Sequence, residues 1–156
     1  MLYHSLIQPY FQYCNIIWAT HHTQHIELPF RKQRKAVRII SLFKWNAQTT
    51  PLFVNHRILT LCNIKIFQVC CFMNKVRYNL LPSFCINSFV KNNESHHQCT
   101  RNATKFYVIS RRLTCRSHSI TVLGVKLWNN LPTSITESLS LPVFKFRCKH
   151  YLINND

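Results

Sequence analysis

Acidic side chains are almost missing from this chain. Glu27, Glu94, Glu137 and Asp156 are the only four, set against 20 lysines and arginines in 156 residues, for a formal net charge of +16 with histidine neutral. Two-metal phosphoryl transfer and paired-carboxylate hydrolysis each need at least two acids converging on one site. The four acids lie far apart in sequence, so no carboxylate-based active site is expected. Glycine is scarcer still, with Gly124 alone. A phosphate-cradling loop and a dinucleotide fingerprint both require several glycines for close backbone approach, so neither can be written here. Long apolar runs are missing as well. The richest window, 58–73, is interrupted by Thr60, Asn63, Lys65 and Gln68, far short of the ~18–20 apolar residues that span a bilayer. The start lacks the basic region and small-residue cleavage site of a secretory signal. The expectation is an intracellular protein, nuclear or cytoplasmic, not secreted. Its eight cysteines then read as reduced thiols rather than a disulfide framework.

What is present is apolar, aromatic and basic. Apolar residues make up 47% and aromatics 13%, too many for a disordered basic tail. A chain of this length buries roughly 68–70% of its unfolded surface, which suffices for a packed core. Like charge on that surface repels itself unless an anionic partner neutralises it. Nucleic acid is the first candidate, and an anionic membrane surface comes second.

Periodicity predicts mostly helix. Apolar residues at three- and four-residue spacing mark 2–18 as amphipathic, with Pro9 predicting a kink or break. After a histidine-rich connector at 20–25, a second helix is expected over 26–41. One face carries Ile26, Phe30, Val37 and Ile40; the other carries Arg31, Lys32, Arg34, Lys35 and Arg38, five cations within eight residues. With acids so few, the i,i+4 carboxylate–cation pairs that usually accompany such faces are not expected. Thr49-Thr50-Pro51 reads as the start of a short helix near 52–56. Asn63 reads as the cap of a longer helix over 64–78, which Leu81-Pro82 ends. Residues 87–105 form a long polar loop, and 106–109 and 119–123 are short and β-prone. Lys126–Leu131 reads as a helical turn stopped by Pro132. A last basic helix over 143–153 places Phe144, Cys148, Tyr151 and Leu152 inward and Lys145, Arg147 and Lys149 outward. The expected fold is mainly α: a small helical bundle with a long polar loop and at most one short β-hairpin. Its segments are 1–85, 86–118 and 119–156.

Two side questions bear on chemistry. Four ligands in two close pairs make a zinc site, and the nearest approach is His97, Cys99, Cys115 and His118. The first pair is irregular and no glycine supports a tight turn, so zinc is not expected and no cofactor is assigned. Cys62, Cys70, Cys71 and Cys148 read instead as small core hydrophobes. Tryptophans stack on bases, but Trp18 and Trp128 fall beside helical apolar positions and read as core. Trp45 lies in a polar connector and is the exception.

Several strings occurring in order resemble one family. They are Ser5-Leu6-Ile7-Gln8-Pro9-Tyr10, Tyr13-Cys14-Asn15-Ile16-Ile17-Trp18, Gln33 to Ile40, Thr50-Pro51-Leu52-Phe53, Gln68 to Met73, Leu81-Pro82, Thr100-Arg101, Arg111-Arg112, Gly124 to Pro132, and Phe144 to Leu152. Together they resemble the region C-terminal to the polymerase palm in LINE-type (non-LTR, jockey-like) retrotransposon reverse transcriptases. The match runs along nearly the whole chain, with Cys99 departing from it where the family tends to carry an aromatic. The resemblance implies a helical, thumb-like region that clasps RNA and DNA as a template–primer duplex. The cations at Arg31, Lys32, Arg34, Lys35, Arg38, Arg101, Arg111, Arg112, Lys145 and Lys149 would contact its backbone. It also implies that the chain is no enzyme on its own. The family's aromatic-Ala-Asp-Asp palm turn has no counterpart here, nor does its endonuclease domain, which fits a truncated element copy whose 2–18 face packs on the absent palm. The alternative is a basic helical module binding nucleic acid or protein, with zinc as an option.

Overall fold

A computed structural model describes residues 2–18, 23–95, 102–110, 112–113, 117–138 and 140–154. Among the described residues the chain is mainly helical, at 67%, with one isolated antiparallel bridge, Lys91 to Phe106, in place of a hairpin. Its contacts form two compact units. One joins Met1–Gln68 to Phe146–Asp156 and the other is Val69–Lys145. That division differs from the segmentation at 85 and 118, which rests on sequence character rather than on contacts.

The first unit begins with a π-helical turn, Tyr3–Ile7, which runs into α1 (Gln8–Gln12) with Pro9 in its first turn. Pro9 has no N–H to continue the ladder across this junction, and the turn ahead of it is wound wider, with the Gln8 N–H donating to the Tyr3 carbonyl. The break falls after Gln12, where Cys14 takes a left-handed backbone (φ 49°), and α2 (Asn15–Trp18) follows. The apolar stripe of 2–18 is only partly inward. Tyr3 is buried and Ile7 packs against the core, whereas Leu2, Leu6, Tyr10 and Ile17 face outward. The break turns one amphipathic helix into pieces that no longer share a face.

α3 (Thr23–Ile40) begins three residues earlier than its periodicity predicts and accommodates Pro29 within it. Val37, with Phe30 and Ile40 beside it, packs into a core of Tyr3, Leu52, Phe53 and Ile58. Polar Gln33 is fully buried and fully used. Its Nε2 donates to the Tyr3 hydroxyl (2.7 Å) and the Leu59 carbonyl (2.9 Å), and its Oε1 accepts from the Leu61 N–H (2.8 Å). α4 (Thr50–Asn55) starts where Thr49-Thr50-Pro51 predicts, with Thr49 at the cap and Leu52 and Phe53 inward. α5 (Leu61–Arg77) starts before Asn63, so Asn63 is inside the helix rather than its cap. Thr60 receives the N–H of Asn63 (3.4 Å) and that of Ile64 (2.8 Å), while the Asn63 amide donates to the Leu152 carbonyl (3.1 Å). Cys62 is exposed, against the expectation that it packs in the core, whereas Cys70 and Cys148 are buried.

Three helices end on the same device. α3, α4 and α5 close at Leu42, Arg57 and Asn79, each left-handed (φ 56°, 52° and 54°). In each case the next residue's N–H reaches back over the turn: Phe43 to Arg38, Ile58 to Phe53 and Leu80 to Lys75. These are Schellman closures, for which glycine is the usual residue. A chain with its one glycine elsewhere places side chains in this strained region, at a cost of roughly 1–3 kcal/mol each.

In the second unit the later part of α5 carries buried Val69, Cys70, Met73 and Val76. The short turns α6 (Ser83–Ile86) and α7 (Asn92–Ser95) follow, and the flanks of the predicted polar loop close on each other. The Asn92 N–H donates to the Lys105 carbonyl (3.0 Å) and the Tyr107 N–H to the Val90 carbonyl (2.8 Å). The β-prone reading of 119–123 is overturned. These residues enter α8 (Ile120–Asn130), because Val122, Val125 and Trp128 bury one helical face that outweighs the β-branched run at its start. The predicted turn at 126–131 is the end of that helix. Gly124 lies against Met73, whose sulfur would stand 3.1 Å from an added Cβ. Trp128 packs on Phe144 at 5.6 Å, and the Asn129 amide bonds both the N–H (3.3 Å) and the carbonyl (2.8 Å) of Phe106. The Trp-Asn string that contributes to the family resemblance is thus built into the core. α9 (Thr133–Thr136) and α10 (Leu141–Asn154) complete the described helices, and Phe144, Cys148 and Leu152 are inward on α10 as its period predicts.

Candidate nucleic-acid interface

α3 presents the densest cationic face. At ~100° per residue, Arg31, Lys32, Arg34, Lys35 and Arg38 fall on one side of the helix, and the buried Gln33 and Val37 fall on the other. Arg31, Lys32, Arg34 and Lys35 are exposed and Arg38 is half-buried.

The five are not equivalent. Arg31 reaches Glu27 one turn earlier at 2.8 Å, which corrects the expectation that no i,i+4 pair forms on this face. One acid does fall at the required spacing. Both partners are more than half exposed, so solvent screens the pair and leaves it worth little. Arg34 lays its guanidinium over the Phe30 ring, 4.1 Å from the centroid, a stack that pre-orients the planar group and leaves its edge available. Arg38 donates from Nε to the Ala47 carbonyl at 2.9 Å, pinning the loop after the helix. Lys32 and Lys35 extend from the exposed arc, and among the described residues neither is paired with a carboxylate.

Beside Arg34 is an open cavity of about 220 Å³. Phe30 and Phe53 line its apolar side, and Arg34, Thr49, Thr50, Thr60 and Cys62 supply polar atoms. A guanidinium beside threonine side chains suits phosphate oxygens, which accept several hydrogen bonds at once. The sequence reading missed this lining. The threonines look like helix caps, and only the fold brings two caps together.

The remaining predicted contacts are dispersed. Lys145 and Arg147 on α10 are exposed and Lys149 is half-buried; Lys149 belongs to the unit that holds α3, and Lys145 to the other. Arg112 is exposed. Arg101 and Arg111 lie outside the described residues, as do His97, Cys99 and Cys115. His118 is exposed, and among the described residues no three His, Cys, Asp or Glu side chains gather as a metal site. Of the tryptophans, Trp128 is core as expected and Trp45 is exposed, while the side chain of Trp18 lies outside the description.

Two titrations respond to burial. Tyr3 is held above its ordinary pKa by desolvation, partly offset by the hydrogen bond from Gln33. Burial also lowers the pKa of Lys65 on α5, with the Cys62 thiol acting in the opposite direction. No helix among the described residues is long and apolar enough to cross a membrane. No family model, curated protein or solved structure matches the chain.

Proposed function

We propose that this chain is a non-catalytic module that grips the sugar–phosphate backbone of an RNA–DNA template–primer duplex, in the manner of the post-palm region of the LINE-type reverse transcriptases that it resembles. The observation carrying this reading is the exposed arc of α3. Four exposed cations and one half-buried cation share it with a single acid, and the opposite side is held by Gln33 and Val37. A helix fixed on its inner side presents its charges as a rigid row. The Arg34 guanidinium, in the lining of the cavity beside it, supplies directional hydrogen bonds that a point charge lacks. Contacts of this kind carry no sequence preference and release condensed counterions.

The reading has a second part. Leu2, Leu6, Tyr10 and Ile17 are exposed apolar side chains along the first 17 residues. We assign them to the surface that packs on the polymerase palm, the partner that the family resemblance implies.

Fluorescence anisotropy with a blunt RNA–DNA hybrid tests the first part. The logarithm of affinity should fall linearly with the logarithm of salt, by about 0.9 per phosphate neutralised. Lys32→Glu combined with Lys35→Glu should weaken binding by at least about tenfold and flatten that slope by two or more contacts. Binding that ignores salt, or that survives the charge reversal intact, defeats the reading.

A further inference from the structure

Trp45 is a large aromatic side chain that the fold leaves outside. Its relative exposure is 85%, against 4% for Trp128, which packs on Phe144. It stands on a turn closed by the Ala47 N–H donating to the Lys44 carbonyl at 3.1 Å. Leu42 and Phe43, at 93% and 58%, precede it.

The turn is built rather than loose. Its first residues are fixed by the Schellman closure of α3, in which the Phe43 N–H donates to the Arg38 carbonyl at 3.1 Å. Its last is fixed by the same residue's side chain, since Arg38 Nε donates to the Ala47 carbonyl. Arg38 therefore belongs both to the cationic face and to the strut that holds the indole at the end of that face. Lys44 is next to it, and no acid occurs in the sequence between Glu27 and Glu94. An exposed indole held at the end of a cationic row, with no carboxylate in its stretch of chain, matches a polyanion that carries π-faces.

We propose that Trp45 is a stacking platform for an unpaired base of single-stranded nucleic acid, where the strand runs past the duplex held by α3. This rests on the proposed function, and it names a different part of the ligand. Inside a duplex each base face is covered by its neighbour, so an indole finds a π-face only on an unpaired or terminal base. Phe43 supplies a second, less exposed ring on the same turn. An anionic membrane is the competing occupant. Leu42 and Phe43 would enter it beside the indole while Lys44 stays at the lipid phosphates, so a vesicle probe is needed to separate the two occupants.

The experiment compares the full chain with its Trp45→Ala and Trp45→Phe variants against three probes. These are a single-stranded oligo(dT), a blunt RNA–DNA hybrid and phosphatidylserine vesicles. Trp45→Ala should weaken oligo(dT) binding by about 5- to 100-fold, Trp45→Phe should keep most of it, and the blunt hybrid, taken long enough that its two terminal pairs are a small share of its binding sites, should change less than about twofold. Unchanged oligo(dT) affinity in Trp45→Ala overturns stacking and leaves the α3 reading standing. Equal losses on both nucleic acids show a supporting role for the turn and also overturn it. Binding to vesicles that depends on Trp45, without loss of oligo(dT), assigns the residue to a membrane instead. If the wild-type chain binds neither nucleic acid, the α3 reading fails and this proposal fails with it. A circular-dichroism melt of Trp45→Ala, unchanged for so exposed a side chain, keeps a binding loss from being mistaken for unfolding.

Discussion

Gln33 stands between Lys32 and Arg34 in the sequence and on the opposite side of α3 in the fold. Sequence gives it no distinction, since a polar residue among cations reads as more solvated surface. Its burial comes from three partners remote in sequence, Tyr3, Leu59 and Leu61, which become neighbours only when the chain has folded. Gln33→Leu keeps much of the volume and leaves a buried hydroxyl, carbonyl and amide without that partner. The expected loss is about 3–5 kcal/mol, read as a lower urea midpoint at unchanged m-value. A Tyr3→Phe change added to Gln33→Leu should cost less than it does alone, because the two residues share one network. The Tyr3 hydroxyl makes a further prediction at high pH. Its pKa is raised in the folded state, so the folded chain holds this proton more tightly than the unfolded chain does. The stability it contributes is complete below the ordinary tyrosine pKa of about 10 and is lost as pH rises through the folded value. Lys65, whose pKa is lowered by burial, acts in the opposite direction, but it is common to both chains and cancels in a comparison of the wild type with Tyr3→Phe. Melting temperatures above about pH 10 should therefore fall more steeply for the wild type than for Tyr3→Phe.

At the scale of elements, helices with a sustained 3.6-residue period were legible, as was the short helix that a Thr-Thr-Pro start announces, and short segments with neither signal were not. α3, α5 and α10 form within a few residues of where their apolar spacing places them, and α4 where its Thr-Thr-Pro start does. Ser119–Leu123 looked like strand because Ile120, Thr121 and Val122 are β-branched and the window was too short to expose the helical period. Extended to Trp128, the same residues bury Val122, Val125 and Trp128 at steps of three. The candidate site divides in the same way. The cationic row on α3 was readable from spacing alone. The Arg34 stack, the Arg38 strut and the threonine-lined cavity depend on which loops return to the helix, and no local pattern encodes that. Gly124 offers a test of how tightly α8 packs. An added Cβ meets Met73 Sδ at 3.1 Å and Ile120 Cγ1 at 3.5 Å. Alanine gains about 1 kcal/mol of helix propensity and asks the flexible Met73 to shift slightly, so Gly124→Ala should stay within about 1 kcal/mol of the wild type. Gly124→Val adds two further carbons with no such room and should destabilise by about 1–3 kcal/mol. Paired urea titrations of the two variants measure the difference, and equal midpoints would mean that the helices do not approach as closely as described.

At the scale of the whole molecule the charge governs. A net charge of +16 on 156 residues makes the folded chain repel itself, and among the described residues the one ion pair is the exposed Glu27–Arg31. Added salt therefore has much repulsion to screen and little attraction to weaken. The Debye length shrinks from about 30 Å at 0.01 M to about 8 Å at 0.15 M, so the melting temperature of the free chain should rise over that range. A bound duplex stabilises by another route, favouring the folded state through mass action, and this contribution weakens as salt displaces the contacts. The two curves must then converge: salt raises the melting temperature of the free chain and shrinks the increment that the RNA–DNA hybrid adds. A free-chain melting temperature that falls with salt would show that local ion pairs outweigh the global repulsion. An increment that does not shrink would show that the hybrid is held by something other than its phosphates.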